Sequence, residues 1–176
     1  MNEKNLIFTI NNLRTNPSNY TNYLEILKKE NLSKKNIFYN NFLNEENIKN
    51  ILEIIKNQKP QKPFKIKEEL NKIAKDYLFK IIKNQDDDID SIDLEEIAES
   101  YGNFNGFLIK YIDFESLNNN EFINKFLFCN EFDDKKKKLK TIFSKNLNYI
   151  GISSIKICED SFITVVLFCS FFKEFK

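Results

Sequence analysis

From Phe162 to Phe172 the chain is apolar at nearly every position, interrupted only by Thr164 and Ser170. A strand with one face in water alternates apolar and polar residues; a strand that does not alternate must be covered on both faces. The run is about half the ~20 residues that a membrane-spanning helix needs, so it predicts a buried strand and no transmembrane segment. Leu147 to Ile157 precedes it with similar β-branched content, and Glu159-Asp160 supplies a short polar turn, so the two read as a hairpin. Covering such a hairpin takes helices on both sides of its sheet. The expected fold class is therefore α/β: a helix-rich, three-layer α/β/α sandwich around a small, mainly antiparallel sheet.

The rest of the chain supplies the helices. Only 3 Gly and 3 Pro occur in 176 residues, so sharp turns are scarce. A first helix runs through Leu6, Phe8, Ile10 and Leu13. Asn16-Pro17 opens a second, with Asn as cap and Pro at the first helical position. Tyr20, Tyr23, Leu24 and Leu27 form its apolar face. Residues 31–42 are weakly patterned and read as a loop. Asn44-Glu45-Glu46 starts a third helix, its acids at the positive end of the dipole. Ile48, Ile51, Leu52 and Ile55 are its buried stripe, and Lys59-Pro60-Gln61-Lys62-Pro63 ends it. A long helix follows from Lys67, with Leu70, Ile73, Ala74, Tyr77, Leu78, Ile81 and Ile82 at helical spacing. A short helix spans Asp93 to Tyr101, Phe107 to Phe114 alternates as a strand, and another helix covers Glu121 to Cys129. No repeat and no linker is visible, so residues 1–176 are expected to form a single domain.

Composition narrows the function classes. Net charge is +1, which argues against nucleic acid as a partner. Lysine supplies nearly all the positive charge, and Arg14 is the only arginine. Asn, Lys, Ile and Phe are abundant throughout, a compositional bias that gives runs such as Asn118-Asn119-Asn120 no functional reading. The amino end has no continuous apolar stretch before Asn11-Asn12, so no signal peptide is expected, and Asn2 excludes N-myristoylation. Cys129, Cys158 and Cys169 are an odd number at unrelated spacings. Cys158 near the hairpin turn and Cys169 at the far end cannot meet at about 3.3 Å per residue. All three are expected to be reduced, and the chain to be intracellular and cytoplasmic. Asp86-Asp87-Asp88 lacks the spaced ligands and central glycine of a calcium loop and reads as a solvated turn.

Six landmarks then follow one another in a recognisable order. Asn11-Asn12-Leu13-Arg14-Thr15-Asn16-Pro17 fits N-x-x-R-x-x-P. Asn47 to Lys65, a helix ending in Gln58-Lys59-Pro60 before Pro63-Phe64, looks like the connection L-x-x-x-x-P-L-x-x-L, though without its leucines. Leu70-Asn71-Lys72-Ile73-Ala74-Lys75-Asp76-Tyr77 fits L-x-x-x-A-x-x-H, with Tyr in the last place. Tyr101-Gly102-Asn103-Phe104-Asn105-Gly106 fits the turn Y-G-x-W-x-G. Tyr149-Ile150-Gly151-Ile152 resembles x-V-G-x-G, with Ile in the place of Val and Ser153 in that of the last Gly, and Ile163 to Phe168 resembles the closing strand. In this order the chain resembles the CAP superfamily (cysteine-rich secretory, antigen 5 and pathogenesis-related 1 proteins) in its cysteine-poor form, over about Leu6 to Phe168. The resemblance implies the same α/β/α sandwich.

It also implies a position for a site. In many members the family's cavity is lined by histidines and acidic residues and binds a divalent metal such as zinc. Its four positions fall on Tyr77, Lys110, Lys138 and Ile157. None is a good zinc ligand, and the chain contains no histidine at all. No metal and no cofactor is expected. Cys-His and Ser-His-Asp mechanisms are excluded by the same absence, and there is no glycine-rich phosphate loop. Adjacent carboxylates, Glu95-Glu96 and Asp133-Asp134, point apart on a helix. Glu99 reads as a cap or surface residue and Tyr77 as core. The expectation is a protein that is not an enzyme.

What remains is surface. Lys135, Lys136, Lys137, Lys138 and Lys140 form a basic run, partly offset by Asp133-Asp134. It is either a solvated face or a contact for an acidic protein surface, a filament or anionic lipid. Phe171 or Phe172 ends the last strand in the core; otherwise Phe171, Phe172 and Phe175 dock into a neighbour. The function expected is a non-catalytic, intracellular structural or protein-interaction module within a larger assembly, with a cytoskeletal or ciliary setting. The rivals are an acidic-lipid or sterol-binding module at a membrane surface, and an enzyme with an unrecognised site around Glu99 or Tyr77.

Overall fold

β4 (Ser161–Glu174) is an inner strand, as its composition requires. The computed structural model describes residues 1–33, 45–83, 89–128, 132–159 and 161–175. The chain order is α1 (Glu3–Thr15), α2 (Pro17–Ser33), α3 (Glu45–Lys56), β1 (Lys65–Ile66), α4 (Glu68–Lys83), a 3₁₀ turn at Ile89–Ser91, α5 (Leu94–Glu99), β2 (Gly102–Ser116), α6 (Asn119–Phe128), α7 (Phe132–Ile142), β3 (Tyr149–Cys158) and β4. The result is a helix-rich α/β protein with a four-stranded mixed sheet. The described residues cluster into two compact units, one made of Met1–Ile7, Phe64–Asn119 and Lys145–Lys176, the other of Phe8–Pro63 and Asn120–Ser144.

The first unit holds the sheet, in strand order β1-β3-β4-β2. β4 pairs antiparallel with both β3 and β2, and β1 pairs parallel with β3. On one face, Ile163, Val165, Leu167 and Cys169 join a core with Leu70, Ile73, Ala74, Tyr77 and Leu78 of α4 and Leu94, Ile97 and Ala98 of α5. Asp93 caps α5, its carboxylate accepting the backbone N–H groups of Glu95 and Glu96. On the opposite face Thr164, Val166 and Phe168 are equally buried. There the Phe64 ring lies 5.2 Å from that of Phe168, and the Thr164 hydroxyl donates to Met1 Sδ at 3.3 Å. The unbroken apolar run therefore marks a strand covered on both faces.

α4 sits close against β3. A Cβ placed on Gly151 would lie 2.4 Å from the Leu70 carbonyl carbon, so only glycine admits the helix backbone here. Asn71, one residue on, uses that closeness: its Oδ1 accepts the Ile152 N–H at 2.9 Å. Further along the same strand the Ser154 N–H donates to Glu3 Oε1 at 2.8 Å. β1 pairs only with Tyr149 and Ile150, so these two side chains satisfy strand donors that β1 does not reach.

Several boundaries differ from the sequence reading. β2 starts at Gly102, not Phe107, and pairs with β4 from there. A bulge between Asn105 and Leu108, with Gly106 at φ 89°, breaks the alternation and makes its first residues look like a turn. β4 correspondingly runs on to Glu174. β1 is too short to leave a periodic signal. Residues 31–33 continue α2, whereas 34–42, like Asp86-Asp87-Asp88 and Cys129, lie outside the described residues. The charged segment Asp133 to Lys140 is part of helix α7.

The second unit is helical. Ile48, Ile51, Leu52 and Ile55 of α3 are buried as their spacing predicts. So are Phe122, Ile123, Phe126 and Leu127 of α6, and Leu139 and Ile142 of α7. Its polar centre is Arg14, 3% exposed. The guanidinium donates from Nε to the Lys62 carbonyl at 2.5 Å, from Nη1 to the Ile142 carbonyl, and from Nη2 to the Ser144 carbonyl at 2.9 Å. Burial pushes its pKa down to about 10, still charged at neutral pH. A fork of donors in fixed geometry suits three carbonyls as a lysine would not.

Replacing Gly151 by Ala should cost about 1–3 kcal/mol, because the added methyl meets helix backbone rather than a movable side chain. Urea denaturation checks this; an unchanged midpoint would mean that α4 shifts freely.

Candidate functional site

The close seating of α4 carries Tyr77 over the sheet. Tyr77 is 0% exposed and packs in the α4/α5/β4 core. Pairing with β4 sets Lys110 of β2 opposite Leu167, on the same face. The two meet: Lys110 Nζ donates to the Tyr77 hydroxyl at 2.6 Å and stands 4.9 Å from its ring centroid. The hydroxyl in turn donates to the Ile89 carbonyl at 3.4 Å. A phenol buried in an apolar core needs a partner for its oxygen; the ammonium supplies a charge-assisted donor and a cation–π contact at once.

Of the four positions that the family resemblance assigns to ligands, the structure brings together Tyr77 and Lys110. Ile157 is 46% exposed on β3 near the hairpin turn. Lys138 is half-buried on α7, in the other unit. The residues present do not fit a zinc ion. The Lys110 ammonium is a fixed positive charge at hydrogen-bond distance from the only oxygen that Tyr77 offers, and closed zinc sites take three or four N, S or O ligands. Among the described residues no group of three His, Cys, Asp or Glu side chains could hold a metal.

A second polar pair borders this position. The Tyr101 hydroxyl donates to Asp76 Oδ2 at 2.5 Å. That hydrogen bond first, then burial, then the carboxylate charge raises the Tyr101 pKa above its ordinary value of 10.0. Asp76 and Tyr77 are adjacent on α4, so consecutive residues tie the helix to Tyr101 ahead of β2 and to Lys110 within it. The motif Y-G marked Tyr101 in the sequence, but nothing there named Asp76 as its partner.

The other nominated residues are dispersed. Glu99, Glu95 and Glu96 are exposed on α5. Cys158 Sγ lies 2.8 Å from Ser161 Oγ, and burial pushes the Cys169 thiol up. On α7, Lys137 and Lys140 are exposed, while the side chains of Lys135 and Lys136 lie outside the described residues. Phe171 and Phe175 are 50% and 58% exposed. Phe172, nominated with them for partner contact, is instead 3% exposed in the α4/α5 core, paired with Phe104 beyond the bulge.

No protein-family model matches the chain, and no curated protein matches it. Two solved structures are similar to it in fold. One is a cysteine-rich secretory protein from Staphylococcus aureus, 13% identical with TM-score 0.43, the match covering 68% of this chain and 35% of that one. This chain thus spans about a third of that protein's length. The other is an outer surface protein from Borrelia burgdorferi, 20% identical with TM-score 0.43, over 74% of this chain and 95% of that one. Both likenesses are of fold, at low identity.

Tyr77→Phe should cost about 1–2 kcal/mol by removing the oxygen that receives Lys110. Combined with Lys110→Met, the loss should be less than the sum, and strict additivity in the double-mutant cycle would refute the coupling.

Phenolate absorbance gives a separate check on Tyr101. The difference between wild type and Tyr101→Phe should show a group titrating above 10.0. Because the folded pKa is raised, the bond's contribution to stability is present below 10.0 and lost as pH rises through the higher folded value. Asp76→Asn should move the transition down.

Proposed function

We propose that this chain is a non-catalytic CAP-like domain, an intracellular, cytoplasmic structural or protein-interaction module within a larger assembly. The observation that carries the reading is the Tyr77–Lys110 pair. Where the resemblance puts two metal ligands, this chain has a phenol and an ammonium that satisfy each other at 2.6 Å. A general acid or base must also reach a substrate proton, and Tyr77 is fully buried. The reading moves function to the surface, to Lys137 and Lys140 on α7 for an acidic protein or filament, and to Phe171 and Phe175 as anchors. A cytoskeletal or ciliary filament is the proposed setting. The exposed lysines also support a second reading, in which the acidic surface is a membrane and the chain takes up anionic lipid or sterol. No helix of the described residues is long and apolar enough to cross a membrane.

Elemental analysis of the purified protein should find no stoichiometric metal; one zinc per chain would sink the proposal. Crosslinking mass spectrometry on the native protein should place partner crosslinks on Lys137 and Lys140, and Lys137→Glu/Lys140→Glu should lose the partner while keeping the fold. Flotation of the wild type with anionic vesicles at low salt, abolished by the same double variant, would favour the lipid reading instead.

A further inference from the structure

We propose that the Asn105–Gly106 peptide is a modification site, at which the folded protein deamidates spontaneously to aspartate and isoaspartate. The chemistry requires an asparagine whose following backbone nitrogen can reach its own side-chain carbonyl. That nitrogen loses its proton to solvent base and attacks Asn105 Cγ. The new N–Cγ bond forms, the Cγ–Nδ2 bond breaks, and ammonia leaves. Water then opens the five-membered imide at either carbonyl, giving aspartate or isoaspartate. No oxidant, cofactor or enzyme enters the balance. A side chain on the following residue obstructs the attack, so glycine is the permissive neighbour.

The chain has three glycines, preceded by Tyr101, Asn105 and Ile150, so Asn105 is its one asparagine followed by glycine. The structure places that dipeptide at a bulge within β2. Asn105 and Gly106 are both exposed. Gly106 has φ 89°, and the register with β4 slips between Asn105 and Leu108. At the slip the Phe107 N–H donates to the Ser170 hydroxyl at 3.2 Å rather than to a strand carbonyl. The bulge thus interrupts the ladder beside the nitrogen that must attack. Asn103, two residues earlier and also exposed, is followed by Phe104 and serves as an internal comparison.

Conversion would alter this end of the sheet. Either product replaces a neutral amide with a carboxylate opposite the exposed Phe171. Isoaspartate also lengthens the β2 backbone by a methylene, on a strand that already carries an extra residue there. The segment beyond it, Gly102 to Asn105 against Phe171 to Glu174, also holds Phe104 and Phe172 in register. Its amides should exchange faster after conversion.

The test incubates the full chain at mildly alkaline and mildly acidic pH, folded and in urea. Peptide mass spectrometry reads the mass gain, and an isoaspartyl methyltransferase labels the isomer. Residue 105 should convert before any other asparagine in the folded protein, and faster under alkali. Asn105→Gln keeps the amide and the charge but must close a six-membered ring, so conversion there should fall by an order of magnitude or more. Gly106→Ala is less suitable because φ 89° and Ser170 Cβ at 3.1 Å strain the fold. If residue 105 stays intact while other asparagines convert, or reacts only in urea, the strand protects it and the proposal fails.

Discussion

Where β3 carries Gly151, α4 comes down onto the backbone of the sheet itself. That approach is a packing constraint with polar consequences. It sets the height of the helix, and height decides which α4 side chains reach the strands. Asn71 lies near enough for its amide to act as a strand partner to Ile152. Two turns further, Tyr77 lies over Lys110. A larger residue at 151 would lift the helix, and the hydrogen bond and the ring contact would lengthen together. One absent side chain therefore governs both the closure of a sheet edge and the geometry of the buried pair.

The two units solve the same problem, backbone groups without ladder partners, by different means. In the sheet unit, Asn71 and Glu3 satisfy donors of β3 that two-residue β1 leaves open. In the helical unit, Arg14 gathers the carbonyls of Lys62, Ile142 and Ser144, which lie at a proline-rich connection and at the end of α7. Unpaired buried carbonyls and donors each carry a desolvation cost. A few polar side chains here do what longer secondary structure would otherwise do. Arg14 suits this place because its three nitrogens spread donors across a rigid planar fork, one to each carbonyl, whereas a lysine's donors all share a single nitrogen.

How much of this was legible depended on whether a residue's role was local. The buried stripe of α3 and the two-faced burial of β4 follow from spacing alone. β1 escaped because two residues cannot show a period. β2 was shortened because Gly106 and its bulge interrupt the alternation that signals a strand. Phe172, left open between core and docking, is in the core, which only its neighbours in space decide. The sequence nominated Tyr77 and Lys110 separately. Their contact joins a helix to a strand 33 residues away, through a topology that spacing does not encode.

That contact also bears on what the position can do. A tyrosine in an apolar core is held by its ring and penalised by its oxygen. A lysine reaching into such a core gains from its stem and is penalised at its charge. Placed together, each lowers the other's penalty, and the Ile89 carbonyl takes the phenol's own proton. A cluster of neutral imidazoles and carboxylates has the opposite character: its lone pairs converge and ask for a cation. Exchanging the second arrangement for the first therefore takes more than the loss of one ligand. It substitutes a self-satisfied contact for an unsatisfied one, and a self-satisfied contact stabilises the fold whether or not anything binds.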